Sequence, residues 1–347
     1  MKKELLMGTA LVSTLGAASV AEAVTATMSG NHQTGMEFDS PTSGADTNAQ
    51  INDNNFTVSL SETTDGGMTI SSSFKLMNEN SAGGDGNAGF SLAFTDGSKL
   101  DVLNAGNASG SHAVSIPGSA GAEGVATTST NAAQTGLDFG TGSSALGVEY
   151  HTASDFLADG LKMSFSTSTD NGAAAGTTYK VDSHYAIGAT YVTDLGDTAV
   201  TLGGGYSVVD GSKTNTAPTN DTNGYHIGLS AVTGDLTVAV GYADGDKVGV
   251  NLASAMEMTG NVTKAGVKYV TGDLTFNVGI ASGEGKDNTM GSTGGSDDSK
   301  DSTSASVSYA VASGVTAILG YTSLEASDEG ASTDDGSAWY IGANMAF

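Results

Sequence analysis

From residue 24 onward the chain keeps returning to a period of two, and that period leaves little room for anything but sheet. In "LTFNVGI", Leu274, Phe276, Val278 and Ile280 share one parity, and Thr275, Asn277 and Gly279 the other. "LTVAVGY" repeats this with Leu236, Val238, Val240 and Tyr242. "AVTLGGGYSV" sets Val200, Leu202, Tyr206 and Val208 against Thr201, Gly203, Gly205 and Ser207. Successive side chains of a strand point to opposite faces, so each segment reads as a strand with one apolar face and one small or polar face. The chain ends the same way in "WYIGANMAF", with Trp339, Ile341, Ala343, Met345 and Phe347 on one parity.

The connections alternate in length. Short turns, "TDGG" (64–67), "DGS" (96–98), "DLGD" (194–197) and "ASG" (312–314), join strands in pairs. The pentapeptide "VTGDL" occurs at Val232–Leu236 and again at Val270–Leu274, each time as a hairpin turn. Between the hairpins lie long polar stretches at 39–53, 77–88, 105–144, 169–181, 209–222, 244–261, 283–302 and 325–336. Pro41, Pro117 and Pro218 all fall in these stretches, where a proline costs no ladder hydrogen bond.

Sixteen strands fit between the breaks, near 24–38, 54–63, 68–76, 89–95, 99–104, 145–151, 159–168, 182–193, 198–208, 223–232, 235–243, 262–270, 273–282, 303–311, 315–324 and 337–347. An even strand number, with short turns at one end and long loops at the other, describes a transmembrane barrel of the outer-membrane kind. Pairing the first strand with the last abolishes the sheet edges that lipid would not tolerate. The expected fold is therefore all-β, a 16-stranded antiparallel transmembrane β-barrel forming a single domain over 24–347. No apolar run after the N-terminus approaches the roughly 18 residues of a spanning helix.

The first 23 residues stand apart. Lys2 and Lys3 precede a largely apolar or small stretch from Leu5 to Val20, and Ala21-Glu22-Ala23 fits an A-x-A cleavage site, so 1–23 reads as a secretory signal. Glu4 is unusual in such a basic start. The whole chain carries a formal charge of −26 with no cysteine. The signal holds two lysines and two glutamates, which leaves ten lysines and 36 acids beyond it, and no arginine anywhere. So acidic a chain repels nucleic acid and attracts cations. The missing cysteine fits an exported protein without disulfide staples.

"MTISSSFKL" after the "TDGG" turn, "LGVEYHTASDFLADGLKMSFS", and "VASGVTAILGYTS" leading to "WYIGANMAF" resemble the general outer-membrane porins of alphaproteobacterial type. The resemblance implies a water-filled channel for passive diffusion, a homotrimer, and a third long loop folded into the lumen as a constriction. The stretch 105–144 is the third long connection and the longest. It also implies partners in outer-membrane lipid and lipopolysaccharide, and recognition of a terminal Phe by the outer-membrane assembly machinery. Two features depart from the family pattern. Arginines usually line one wall of the constriction, and here there are none; the constriction loop is usually acidic, and this one offers only Glu123 and Asp138.

Parity assigns facing. Leu161, Met163 and Phe165 turn to lipid, so Lys162, Ser164 and Ser166 turn to the lumen. Lys75 opposes Phe74 and Leu76, and Lys268 opposes Val267 and Tyr269. A charge facing mid-bilayer costs about 2–4 kcal/mol, which favours this placement. With Lys264 these lysines form a candidate basic wall, or simply solvated lumen residues at different heights. Glu149 and His151 share one strand face, and Asp101, His184 and His226 face inward elsewhere. An acid beside a histidine suggests metal or acid–base chemistry. No H-x-x-x-H, nucleophile elbow or paired-carboxylate spacing accompanies them, so they read as groups that tune the field in the pore.

No cofactor is expected. The loop acids Asp297, Asp298, Asp301, Asp328, Glu329, Asp334 and Asp335 could hold Ca²⁺ or Mg²⁺ among their oxygens, or form a solvated rim. The acidic lumen predicts a cation preference. Two other readings stay open: a secreted calcium-dependent adhesin, which should show a fixed repeat, and an outer-membrane barrel enzyme, which needs a Ser–His or Asp–His constellation near the rim.

Overall fold

The computed structural model describes residues 24–41, 45–78, 89–103, 107–118, 147–169, 179–213, 222–249, 256–289, 297–328, 332–333 and 336–347. The segment read as a signal, 1–23, lies outside them. The strands are β1 (Thr25–Pro41), β2 (Thr47–Thr63), β3 (Thr69–Asn78), β4 (Phe90–Ala93), β5 (Lys99–Val102), β6 (Gly147–His151), β7 (Leu161–Thr169) and β8 (Tyr179–Leu195). They continue with β9 (Thr198–Lys213), β10 (Thr222–Thr233), β11 (Leu236–Gly249), β12 (Met256–Thr271), β13 (Leu274–Thr289), β14 (Asp297–Ala312), β15 (Val315–Asp328) and β16 (Gly336–Ala346). A two-residue bridge, Ser332–Thr333, extends the ladder at the end of β15.

Every strand pairs antiparallel with its sequence neighbours, and β1 pairs with β16 from Asn31↔Ala346 to Pro41↔Gly336. The sheet is a closed 16-stranded barrel. The seam is tied off by Phe347, whose N–H donates to the Gly30 carbonyl at 3.0 Å and whose carbonyl accepts from the Gly30 N–H at 3.1 Å. Its ring packs on Phe56 with centroids 5.7 Å apart.

Closure turns the usual core inside out. Leu229, Val238, Val240, Val267, Val278, Ile280 and Ile341 are exposed on the outer face, an apolar surface far too extensive for a water-soluble monomer. Buried side chains are largely polar and point inward: Glu149, His151, Ser164, Ser166, His184, Ser207, Asn277 and Thr322. Tyr150, Tyr191, Tyr206, Tyr225, Tyr309 and Trp339 are exposed on the outside, where a barrel carries its aromatic girdles.

The two "VTGDL" turns are two-residue hairpins. Gly234 and Gly272 take φ 56° and 58° at the first central position while the following Asp does not, a Gly-first pattern of the kind that matches strand twist.

Several polar stretches read as loops are strand. β1 runs on to Pro41, β11 to Gly249, β13 to Thr289, and β12 and β14 begin at Met256 and Asp297. These stretches are rich in polar residues and glycine, so the apolar alternation that marks a strand fades while the ladder persists. Pro41 is accordingly the last residue of β1, at a strand end where its missing N–H is tolerated.

Candidate functional site

The third long connection departs from β5 and returns at β6, and its described part, residues 107–118, lies along the inner wall. Asn107 starts it by accepting the Ser109 N–H on its side-chain oxygen at 3.0 Å. One 3-10 turn follows at Gly110–His112. The chain then crosses the lumen face of β7 to β13 in order.

What lets backbone lie flat on a sheet is a belt of glycines. A Cβ at Gly188 (β8) would overlap the Ala108 carbonyl, one at Gly205 (β9) would meet Ser109, and one at Gly203 (β9) the His112 carbonyl. A Cβ at Gly228 (β10) would sit 2.7 Å from the Val114 side chain. At Gly266 (β12) it would overlap Pro117, and at Gly279 (β13) Gly118. The ladder joins these positions, as Gly188↔Gly205, Gly203↔Gly228↔Gly241 and Gly266↔Gly279. Gly203 and Gly205 of the β9 "GGG", which read in sequence as part of a small or polar face, belong to a track for the loop.

Polar pins hold the first half of the segment. The Ala108 N–H donates to Ser166 Oγ at 3.0 Å, and Ser111 Oγ donates to Glu149 Oε1 at 2.7 Å. His226 Nε2 donates to the Ser109 carbonyl at 2.8 Å. The His112 ring is gripped on both nitrogens, Nδ1 by Thr190 Oγ1 at 2.7 Å and Nε2 by Ser164 Oγ at 2.8 Å. Ser164 also meets His151 Nδ1 at 2.7 Å, and His151 Nε2 meets Asp101 Oδ2 at 2.9 Å. Lys99 closes the chain with its Nζ 2.8 Å from the same Asp101 oxygen.

Of the residues singled out in sequence, Asp101, Glu149 and His151 come together on β5 and β6, where Asp101↔Glu149 and Lys99↔His151 are direct cross-strand pairs. His226 joins them through the loop. His184 is buried on β8, and its Nε2 has no hydrogen-bond partner among the described residues. Lys162 extends from β7 two residues from Ser164, close enough to act electrostatically on His112. Lys264 and Lys268 flank Gly266 on β12, one on either side of the loop crossing. Lys75 lies opposite Thr57 on β3, away from the others.

Glu123 and Asp138 lie outside the described residues, as do Glu329, Asp334 and Asp335. Asp297, Asp298 and Asp328 sit in strand backbone, and Asp301 is exposed on β14 opposite Glu325. The side chains of Asp297, Asp298 and Asp328 lie outside the described ones, and Asp301 belongs to no group with metal-ligand spacing among the described residues.

Sequence reasoning passed over Lys99, His112, Glu37 and Asp39. The last two are buried on the inner face of β1 and alternate with exposed Met36 and Phe38, so "MEFD" carried a legible signal. His112 carried none, because its partners Ser164 and Thr190 lie 52 and 78 residues away.

Burial pushes the His112 ring down to about 4, and nearby Lys162, His151 and His226 add to the effect. The docked segment thus binds fewer protons than the free one. Its stability is complete above about pH 6.5 and is lost as pH falls toward 4. Discounted for the solvent of the adjoining lumen, the loss is on the order of 1–2 kcal/mol. Single-channel noise should rise between pH 7 and 4.5, and His112→Gln should flatten that profile.

A closed barrel, apolar outside and polar inside, with a chain segment seated on its inner wall, defines a channel of the outer membrane. Residues 8–330 match the family model described as Gram-negative porin, and the chain belongs to that family. The outer membrane channel DcaP of Acinetobacter baumannii is similar at 10% identity and a TM-score of 0.67, with 96% of this chain and 99% of that one covered. The anion-selective porin of Comamonas acidovorans is similar at 12% identity and 0.61, covering 93% and 100%. OmpT of Vibrio cholerae, solved in trimer form, is similar at 14% and 0.60, covering 94% and 100%. No curated protein matches the sequence.

Proposed function

We propose that this porin is a passive, cofactor-free channel for ions and small hydrophilic solutes, with a preference for cations. The observation that carries the reading is the seating of residues 107–118 on the glycine belt, which narrows the lumen from one side. Cation preference is supported by the formal charge of −26, the absence of arginine, and inward Glu37, Asp39 and Glu149. Lys75, Lys162, Lys264 and Lys268 oppose it. The Comamonas porin shares the fold and is described as anion-selective, so the cation preference proposed here rests on side chains and not on the fold. A homotrimer is proposed because OmpT is seen in trimer form. An apolar groove lined by Leu100, Val148, Tyr150, Phe165, Ile187 and Tyr206 on the outer face of β5–β9 offers a seat for a second copy.

One arrangement argues for catalysis: Asp101, His151 and Ser164 are linked in series. Ser164 has no exposed surface, and its Oγ is also held by His112, so it acts as a link in the loop anchor and not as a nucleophile.

The reversal potential of single channels under a KCl gradient tests the proposal. A cation-selective potential that weakens with salt is expected, because charges beyond about 8–10 Å are screened at physiological ionic strength. An anion-selective potential would assign control to the lysines. Absence of conductance steps from inserted protein would overturn the diffusion reading.

A further inference from the structure

We infer that the lumen wall carries a divalent transition-metal site, of the kind that takes Zn²⁺, built from Asp101, Glu149 and His151. His151 Nε2 lies 2.9 Å from Asp101 Oδ2 and 3.6 Å from Glu149 Oε1, and the three ligand atoms all fall within 4.8 Å of one another. An ion about 2.1 Å from each ligand holds neighbouring ligands roughly 3.0–3.4 Å apart, so the observed spacings bracket what coordination needs. Register makes the set: Asp101 and Glu149 are directly paired across β5 and β6, and His151 follows Glu149 on the same face.

Each ligand also has an outer partner that fixes its orientation, as metal ligands require. Ser91 Oγ donates to Asp101, and Ser111 Oγ donates to Glu149 Oε1 at 2.7 Å. His151 Nδ1 meets Ser164 Oγ at 2.7 Å, and Ser164 in turn meets His112 Nε2. Without metal, Nε2–H donates to Asp101 and Nδ1 accepts from Ser164; in the other tautomer Nδ1–H donates to Ser164, and the Nε2 lone pair is free to bind an ion beside the two carboxylates. Imidazole together with two carboxylates suits zinc-class ions better than Ca²⁺ or Mg²⁺, which prefer all-oxygen sites. Lys99 holds the neighbouring position in the metal-free form. Its side chain is 41% exposed, so it can yield to the ion, while pore water completes the coordination.

Because Ser111 and Ser164 belong to the loop anchor, the metal would tie conduction to metal supply. The test is Zn²⁺ titration by calorimetry of chelator-stripped, intact porin in detergent, with Co²⁺ absorption as a spectroscopic probe. One ion per chain is expected, undisplaced by excess Mg²⁺. His151→Ala and Glu149→Gln should each weaken binding at least about tenfold, and Lys99→Gln should tighten it. Heat-modifiable gel mobility establishes that each variant is folded. Absence of stoichiometric Zn²⁺ binding, or binding equal in wild type and folded His151→Ala, would overturn the site and assign any residual affinity to the acidic loops. Both readouts are of binding and not of conductance, so the diffusion reading is judged separately.

Discussion

Gly266→Val is expected to lift the constriction segment from the wall while the barrel stays closed. A Cβ at this position overlaps the Pro117 carbonyl oxygen and lies 2.8 Å from its carbon and 3.1 Å from its nitrogen. All three are backbone atoms, so no side chain can swing aside. On the strand itself Gly266 pairs with Ala239 and Gly279, and valine suits a sheet. Overpacking of this kind costs about 1–3 kcal/mol, which raises the undocked fraction roughly 5- to 150-fold. Protease cleavage within 107–118 follows that fraction, and open-channel noise should rise with it. Gly241→Ala is the control, because its Cβ would meet the flexible end of Ile116 at 3.4 Å and the Ile227 carbonyl oxygen at an ordinary 3.7 Å. Wild-type protection of the Gly266→Val loop would mean that the glycine belt does not seat it.

The strands were legible because lipid imposes a strict rule on one parity. Leu274 to Ile280 could be placed on the outer face from spacing alone, since a polar residue there would meet hydrocarbon. The rule lapses where the hairpins rise beyond the apolar band, which is why the ends of β11, β12 and β13 passed for loops. Strand counting survived this error, because extending a hairpin changes neither its order nor its register.

The site was legible only in part, for a different reason. Glu149 and His151 were assigned to one face by parity, which is local. That Asp101 faces Glu149 depends on cross-strand register across a connection of more than forty residues. The anchor is less local still. Ser164 joins His112 to His151, and nothing in "KMSFS" distinguishes that serine from its neighbours Ser166 and Ser168. Gly203, Gly205 and Gly279 looked like part of a small or polar face, as other positions do. Their common purpose appears only when the sheet is closed and places them in one lateral row.

A charge on the outer face should separate the two sides of a strand more sharply than any change in the lumen. Val278 lies midway along the outward series Leu274–Ile280 and is exposed, flanked across the ladder by Val267 and Ala305. Val278→Lys is expected to destabilise the barrel by about 2–4 kcal/mol in a bilayer. Ser308→Lys, on the inward face of β14 between Thr275 and Ile318, should change stability by only a few tenths of a kcal/mol, because its ammonium stays in water. Urea-induced unfolding from lipid vesicles measures both. Fully aqueous detergent-free conditions offer no such contrast, since the penalty arises from hydrocarbon and not from the sheet. Equal losses for the two variants would mean that Val278 does not face the membrane interior, and the inside-out assignment of the barrel would fall with it.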